Sequence, residues 1–382
     1  MIVMKKSLLL LLYISILCFS CGKALQRSHN FTVSRLDSLI VAENKMDQFH
    51  GSILVGSQDE IIYHSAIGLA DRNWNIPVSL DTHFDVASLN KSFIAALVLL
   101  AVEESKLKLE DSLKDLLSNY QYQGNFDSNI TIHHMLCHIS GLPDYDSVND
   151  SLSKHHFKAF KRLHFSNKGY VDFISQLPKI DFPNQQFYYS NFAYHLLCII
   201  LEDTYHTSFP ELLKTKICQP LGLENTYSTT SNETIFPELA EAYNWNPDSK
   251  SWIKNNFIDL SLGRRIFSTS EDLYKWAKAM NNNQLLSPAS LQQMQTNHLA
   301  HLTDQIAYGY GWAIFDRKGH YKMGNLDLPQ PYIIHGGATE GYKSMLINID
   351  HGTYIVAFLS NVGDQTNEMT LAKKIAHILT QH

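Results

Sequence analysis

The sequence predicts an α/β fold: an antiparallel sheet flanked by helices, built from the N- and C-terminal parts of the chain, with a mostly helical lobe inserted between them. Three observations carry that expectation. Strand-like patterns lie at the two ends, helical periodicity fills the middle, and a helix apolar on every side, Phe93–Val102, stands near the join. On this reading residues 33–382 form one unit, with an α/β lobe over about 33–105 and 300–382 and a helical lobe over about 106–299. A chain of 382 residues can bury a core of that size.

The N-terminus reads as an export leader. Lys5 and Lys6 precede an apolar stretch from Leu8 to Phe19, too short for a transmembrane anchor, and Ser20-Cys21-Gly22 follows. Residues 1–20 are assigned as signal peptide and 21–32 as a tether. Cys21, just behind a small residue, is the expected site of lipidation, with ordinary cleavage near Ala24 as the alternative. Either route puts the mature protein in the periplasm or cell envelope.

Beyond the leader, residues 33–49 show helical spacing, and Ser52–Gly56 with Ile61–Ala66 read as a hairpin around Gln58-Asp59-Glu60. Ile132 to His138 gives one or two helical turns, stopped by Ser140-Gly141-Leu142-Pro143. Phe192–Asp203 is a second apolar helix. Ser268 with Glu271 predicts a capping box for a helix to about Met280, and Ser287-Pro288 an N-cap and first helical residue. Strands are expected at Tyr310–Phe315, Tyr332–His335, Lys343–Ile349 and Thr353–Ser360, with a turn at Asp350-His351-Gly352. A final amphipathic helix covers about Glu368–Leu379.

Three patterns along this scaffold assemble the parts for acyl transfer through a serine ester. The first is Ser88-Leu89-Asn90-Lys91. Ser-x-x-Lys recurs at Ser20, Ser105, Ser151 and Ser251, so context has to choose. Ser88 and Lys91 lie one turn apart at the mouth of the apolar helix, where burial disfavours an ammonium and helps Lys91 accept the serine proton. The plain alternative is a helix-capping Ser88 with a solvated Lys91. The second pattern, Tyr189-Ser190-Asn191, supplies a phenol as proton carrier and an amide to hold a substrate, against a buried tyrosine with a capping asparagine. The third is His335-Gly336-Gly337, whose glycines let backbone approach a ligand closely. There the N–H of Ala338 is the candidate oxyanion donor beside that of Ser88, and His335 and Gly337 are candidate substrate contacts.

Other chemistry finds less support. A formal charge of −6 without a basic block excludes nucleic acid as the natural partner. Cys137, Cys198 and Cys218, odd in number and widely spaced, do not read as a disulfide framework; Cys137 and Cys198, in apolar helical runs, read as buried thiols, and no Cys-x-x-Cys pair suggests zinc. His134 and His138 have the spacing of a helical metal pair, with His133 adjacent. In a chain of 19 histidines that spacing arises by accident, and no third ligand accompanies it, so a structural role and no metal are expected.

Taken in order, Phe84-Asp-Val-Ala-Ser88-Leu-Asn-Lys91, Leu136-Cys-His138-Ile-Ser140-Gly141-Leu142, Phe187-Tyr-Tyr189-Ser-Asn191, Ser268-Thr-Ser-Glu-Asp272 and His335-Gly-Gly337 resemble the serine β-lactamase-related family. That family includes class C β-lactamases, D-alanyl-D-alanine carboxypeptidases, D-aminopeptidases and esterases. The resemblance runs from about residue 45 to the C-terminus and implies a β-lactamase/penicillin-binding-protein-like fold. It also implies Ser88 as acylated nucleophile, Lys91 and Tyr189 as proton carriers and Asn191 as substrate ligand. Departures are His335 where lactamases and carboxypeptidases carry Lys, Asn184 where Gly is frequent, and Arg264-Arg265 in a stretch otherwise rich in small residues. The expected protein is a monomeric, cofactor-free exported serine hydrolase acting on amides or esters of small or peptide-like molecules. A true β-lactamase or D-Ala-D-Ala carboxypeptidase is the near alternative, and a catalytically weak binding or sensing lipoprotein the distant one.

Overall fold

A computed structural model of the protein describes residues 30–148, 165–229, 234–255, 265–316, 321–339 and 341–381. The leader with Cys21, the Ser-x-x-Lys matches at Ser20 and Ser151, and Arg264 lie outside the described residues.

Helix α1 covers residues 30–45, with Leu36 and Ile40 fully buried one turn apart. The chain then enters the central sheet through β1 (Gly51–Gly56) and β2 (Ile61–Ile67), the expected hairpin. The other strands come from the far end: β3 (Ala313–Phe315), β4 (Tyr332–Thr339), β5 (Tyr342–Ile349) and β6 (Tyr354–Ser360). Their spatial order is β3-β4-β5-β6-β1-β2, antiparallel throughout, so β1 docks on β6 and joins the two ends of the chain. The wholly buried runs in β1, β5 and β6 explain their near-continuous Val, Ile and Leu.

Helix α2 (Asn90–Glu103) is buried from Lys91 through Leu99, as an all-round apolar sequence requires. It packs on α4 (Asn191–Tyr205), which in turn packs on the short α3 (Ile132–Leu136). On another side Phe93 stacks on Trp276 of α5 (Ser270–Ala279) at 4.2 Å, and the Trp276 indole N–H donates to Ser92 Oγ at 3.1 Å. Helix α6 (Pro288–Met294) begins as expected, with Ser287 accepting from the N–H of Ser290. Helix α7 (Glu368–Thr380) packs on β5.

Three local expectations change. The cap of α5 is Thr269, not Ser268: Ser268 is the last residue of a short buried strand, and Thr269 Oγ1 accepts from the N–H of Asp272. Helix α5 packs against β1, β5 and β6, so part of the stretch assigned to the helical lobe belongs to the sheet side. The strand bearing His335 does not stop there but continues to Thr339, because residues 336–339 stay paired with β5.

Candidate active site

Ser88 sits in a tight turn that its neighbours hold in place. Ala87 has φ of +49°, a left-handed conformation that costs an L-residue about 1–2 kcal/mol. Its N–H donates to Asp85 Oδ1 at 2.6 Å, and a 3-10 turn over Ala87–Leu89 hands the chain to α2. The opposite wall of this turn is β4. A side chain at Gly337 would place its Cβ 2.2 Å from the Val86 carbonyl oxygen, so glycine there lets β4 close onto the backbone preceding Ser88. The glycine serves an approach to the turn that bears Ser88, whereas the sequence suggested an approach to a ligand. Ser344 Oγ, opposite Gly337 on β5, fastens the same carbonyl at 2.6 Å.

Neither the 3-10 turn nor α2 takes a side-chain cap, so the capping reading of Ser88 fails. Lys91 is only 3% exposed, so the solvated reading fails too. Lys91 Nζ lies 3.5 Å from Ser88 Oγ, a loose contact, and donates to Asn191 Oδ1 at 2.8 Å. Asn191, the first residue of α4, donates its backbone N–H to Asp144 Oδ1 at 2.9 Å and its Nδ2 to Asp144 Oδ2 at 3.0 Å. The result is a chain Asp144–Asn191–Lys91–Ser88. The Asn191 amide keeps one lone pair and one hydrogen for a substrate. Burial raises the Asp144 carboxyl to about 6, against the pull of its Asn191 bonds and Lys91.

Tyr189 lies across Lys91, with Nζ 4.8 Å from its ring centroid, and its hydroxyl makes no hydrogen bond among the described residues. Beneath it, His138 stacks at 4.2 Å, fully buried at φ +59°, and its Nδ1 accepts the N–H of Ser190 at 3.1 Å. Burial first, then Lys91 and His335, push His138 well below the ordinary imidazole range. His134, by contrast, closes a capping box with Thr131. The two histidines of the apparent i, i+4 pair therefore do unrelated jobs.

His335 is buried and uncharged. Its Nδ1–H donates to the Gly336 carbonyl at 2.7 Å, which leaves Nε2 to accept the Tyr308 hydroxyl at 3.1 Å. Burial, then Lys91, lower its pKa to about 3.

Two cavities open from Ser88. One, of about 340 Å³, is walled by Tyr189, His335, Gly337 and Ala338 and by the apolar Met323, Ile334 and Met369. The other, of about 220 Å³, is walled by Lys91, Asn191, Ala338 and Thr339 and by Arg265, which pairs with Asp85. Strand β3 covers β4 only from Tyr332 to Ile334. From His335 to Thr339 the outer edge of β4 has no strand partner among the described residues, and it borders both cavities. Such an edge suits the main chain of an extended, amide-bearing substrate.

Two groups in this arrangement escape motif reading. Asp144 directly follows the helix stop that ends in Leu142-Pro143, with no repeated pattern to flag it, and Tyr308 sits in an apolar stretch that looks like strand. His138 was visible as half of a spurious pair and as a member of the motif Leu136–Leu142, without a role assigned to it. Ser105 and Ser251, the remaining described Ser-x-x-Lys matches, border neither cavity.

Comparison with known proteins gives the family and the fold. Residues 36–380 match the family model described as Beta-lactamase. The chain is similar to penicillin-binding protein 4* of Bacillus subtilis (strain 168), 28% identical over 362 residues that cover 90% of this chain and 75% of that protein. Its fold is that of a penicillin-binding protein from Bacillus halodurans, with TM-score 0.72 and 24% identity over 90% of this chain and 98% of the other. It is equally that of EstCE1, a hydrolase with promiscuous acyltransferase activity, with TM-score 0.75 and 20% identity over 92% and 99% of the two chains.

Proposed function

The chain belongs to the Beta-lactamase family and is a hydrolase by class; on that premise we propose that it is an exported serine hydrolase forming an acyl-enzyme on Ser88, with a preference for neutral esters or amides over carboxylate-bearing β-lactams. Ser88 Oγ attacks the substrate carbonyl while its proton passes to the Lys91–Tyr189 pair. The oxyanion forms between the N–H groups of Ser88 and Ala338. Tyr189, with its hydroxyl uncommitted beside the cavity, protonates the leaving group and later draws a proton from the attacking water. Asn191 holds Lys91 by one face of its amide and the substrate by the other.

One observation carries the substrate preference: His335, beside the larger cavity, is neutral and has both ring nitrogens bonded within the protein. A fixed cation there would hold a carboxylate; a neutral imidazole in an apolar wall does not. The β-lactamase or carboxypeptidase alternative has one observation in its favour, Arg265 on the smaller cavity, but Asp85 already balances that charge.

Mass spectrometry of the intact protein with a phosphonate, an activated acyl ester and benzylpenicillin tests the proposal. A single adduct on Ser88 and ester turnover exceeding that of benzylpenicillin are expected. Benzylpenicillin turnover far above ester turnover would return the chain to the lactamases. A stoichiometric burst with every substrate and no turnover would make it a sensor. The leader supports export and anchoring through a lipid on Cys21; Cys21→Ser should then release the mature protein from membranes, and a wild type already soluble would refute the anchor.

A further inference from the structure

Behind the catalytic floor lies a group of side chains that the hydrolase reaction does not use. His133 and Cys137 stand one turn apart on and just after α3, and His298 follows α6 far along the chain. Each brings one ligand atom within 4.8 Å of the others. Cys137 Sγ is 3.8 and 4.0 Å from the two nitrogens of His133. Around a tetrahedral zinc, with bonds of about 2.0–2.3 Å, neighbouring ligand atoms sit roughly 3.5 Å apart. A small side-chain closure therefore completes the geometry.

A second observation points the same way. In each histidine one ring nitrogen is already engaged by an oxygen, which leaves the other for an ion. His298 Nε2–H donates to the Gln293 carbonyl at 2.8 Å, which leaves Nδ1 with a bare lone pair. His133 Nδ1 faces Tyr310 Oη at 2.8 Å, and with its proton placed there Nε2 is bare as well. A hydrogen bond at the nitrogen that does not bind the ion fixes the tautomer of metal-bound histidines. The thiol is fully buried, while both imidazoles are partly exposed, so an ion can enter from the histidine side and keep a water as fourth ligand.

We propose that His133, Cys137 and His298 form a binding site for a thiophilic transition-metal cation, Zn2+ in the first instance, separate from the serine centre. On binding, the Cys137 thiol loses its proton to solvent and a metal–thiolate bond takes its place, with no change of oxidation state. The ion ties α3 to the segment leading into β3. Both ends of that tie abut the active site: His138, next after Cys137, lies under Tyr189, and Gly311, next after Tyr310, packs on the Lys91 backbone so closely that a Cβ there would sit 2.7 Å from its carbonyl oxygen. The metal is thus a brace for the catalytic floor and takes no part in bond making.

Titration of the metal-free full-length protein with Co2+ tests this. One equivalent should produce thiolate-to-cobalt charge-transfer absorption with tetrahedral ligand-field bands, and Zn2+ should displace it and raise the melting temperature. Cys137→Ser should lose the charge-transfer band, and His298→Ala, at a partly exposed position, should weaken binding at least tenfold while its metal-free ester activity stays that of wild type. Should Cys137→Ser fail to fold, His298→Ala alone decides. Absence of a one-equivalent Co2+ spectrum in the wild type, a band that survives Cys137→Ser and so comes from another cysteine, or unchanged affinity in His298→Ala would each overturn the proposal.

Discussion

The two cavities that meet at Ser88 differ in nearly every physical respect. The smaller is lined by ions and amides: Lys91, Asn191 and the Arg265–Asp85 pair, with Asp144 behind them. The larger offers thioether, aliphatic and aromatic surface, and its one titratable ring of ordinary range, His335, is held neutral. A hydrogen-bonded chain fixes the first wall in one geometry, while the second wall has one carboxylate, Glu368, paired with Lys343 at 3.0 Å, and specifies little shape. The difference assigns them separate work. Under the proposed reaction the polar wall holds the base Lys91, and the larger cavity receives the substrate group by which the preference is set.

The largest effects should therefore come from the polar wall. Lys91→Ala removes the only ammonium in contact with Ser88 among the described residues, and turnover should fall by about a hundredfold or more with every substrate. Tyr189→Phe should cost about as much while keeping the stack on His138. Pre-steady-state rates, with melting curves as a control for folding, check both. Tyr189 itself borders the larger cavity, so the proposed proton path spans both sides of Ser88, and full activity in Tyr189→Phe would confine it to the Lys91 side.

Asp144 sharpens the comparison through pH. Its two oxygens accept two bonds from Asn191, an arrangement that needs the carboxylate, and burial has raised its pKa to about 6. Turnover should climb as pH rises through about 6, and Asp144→Asn should be slower by about tenfold and flat across that window. Stability runs the other way. A carboxyl with its folded pKa raised contributes most below its unfolded value of 3.8, and that contribution is lost as pH rises through about 6. Melting curves from pH 3 to 8 should show this loss of stability in the wild type and not in Asp144→Asn, and identical pH–rate profiles would remove Asp144 from the positioning chain.

The groups assigned to proton transfer were more legible in the sequence than the apolar wall. Ser88, Lys91, Tyr189 and Asn191 stand in short fixed spacings because a helix turn or a helix start sets them, and local spacing survives in one dimension. The same holds for the fold: the hairpin β1–β2, the buried α2 and the strands near the C-terminus were each written in periodicity. What failed were relations made by packing. The contact of Gly337 with the Val86 carbonyl joins residues distant in the chain, and the extension of β4 past His335 depends on its pairing with β5. Asp144 meets Asn191 only because α4 folds back on the loop after α3. The cap of α5 moved from Ser268 to Thr269 because a strand claimed the serine.

On the apolar wall, His335→Lys should alter preference more than rate. The new ammonium would face Lys91, already close enough to depress the His335 pKa, so neutral esters should turn over a few times more slowly. Relative kcat/KM for a carboxylate-bearing substrate over its methyl ester should rise by about tenfold. An unchanged ratio would mean that anions are read on the other wall, by Arg265.

The smallest expected effect is the best probe of how loosely the apolar wall is built. Met323 and Met369 are half-buried and line the larger cavity from different parts of the chain. Thioether side chains adapt to irregular surfaces, so neither holds its partner in a fixed shape. Met323→Ala removes apolar surface worth about 1 kcal/mol to a substrate group that covers it, which is a factor of about five in kcat/KM. The loss should appear with acyl chains long enough to reach the methionine and vanish with acetyl esters. It should fall mainly on KM, because the contact is present in ground and transition state alike. A loss in kcat that is equal for acetyl and long-chain esters would show that Met323 supports the catalytic geometry, and the division of labour between the two walls would then have to be redrawn.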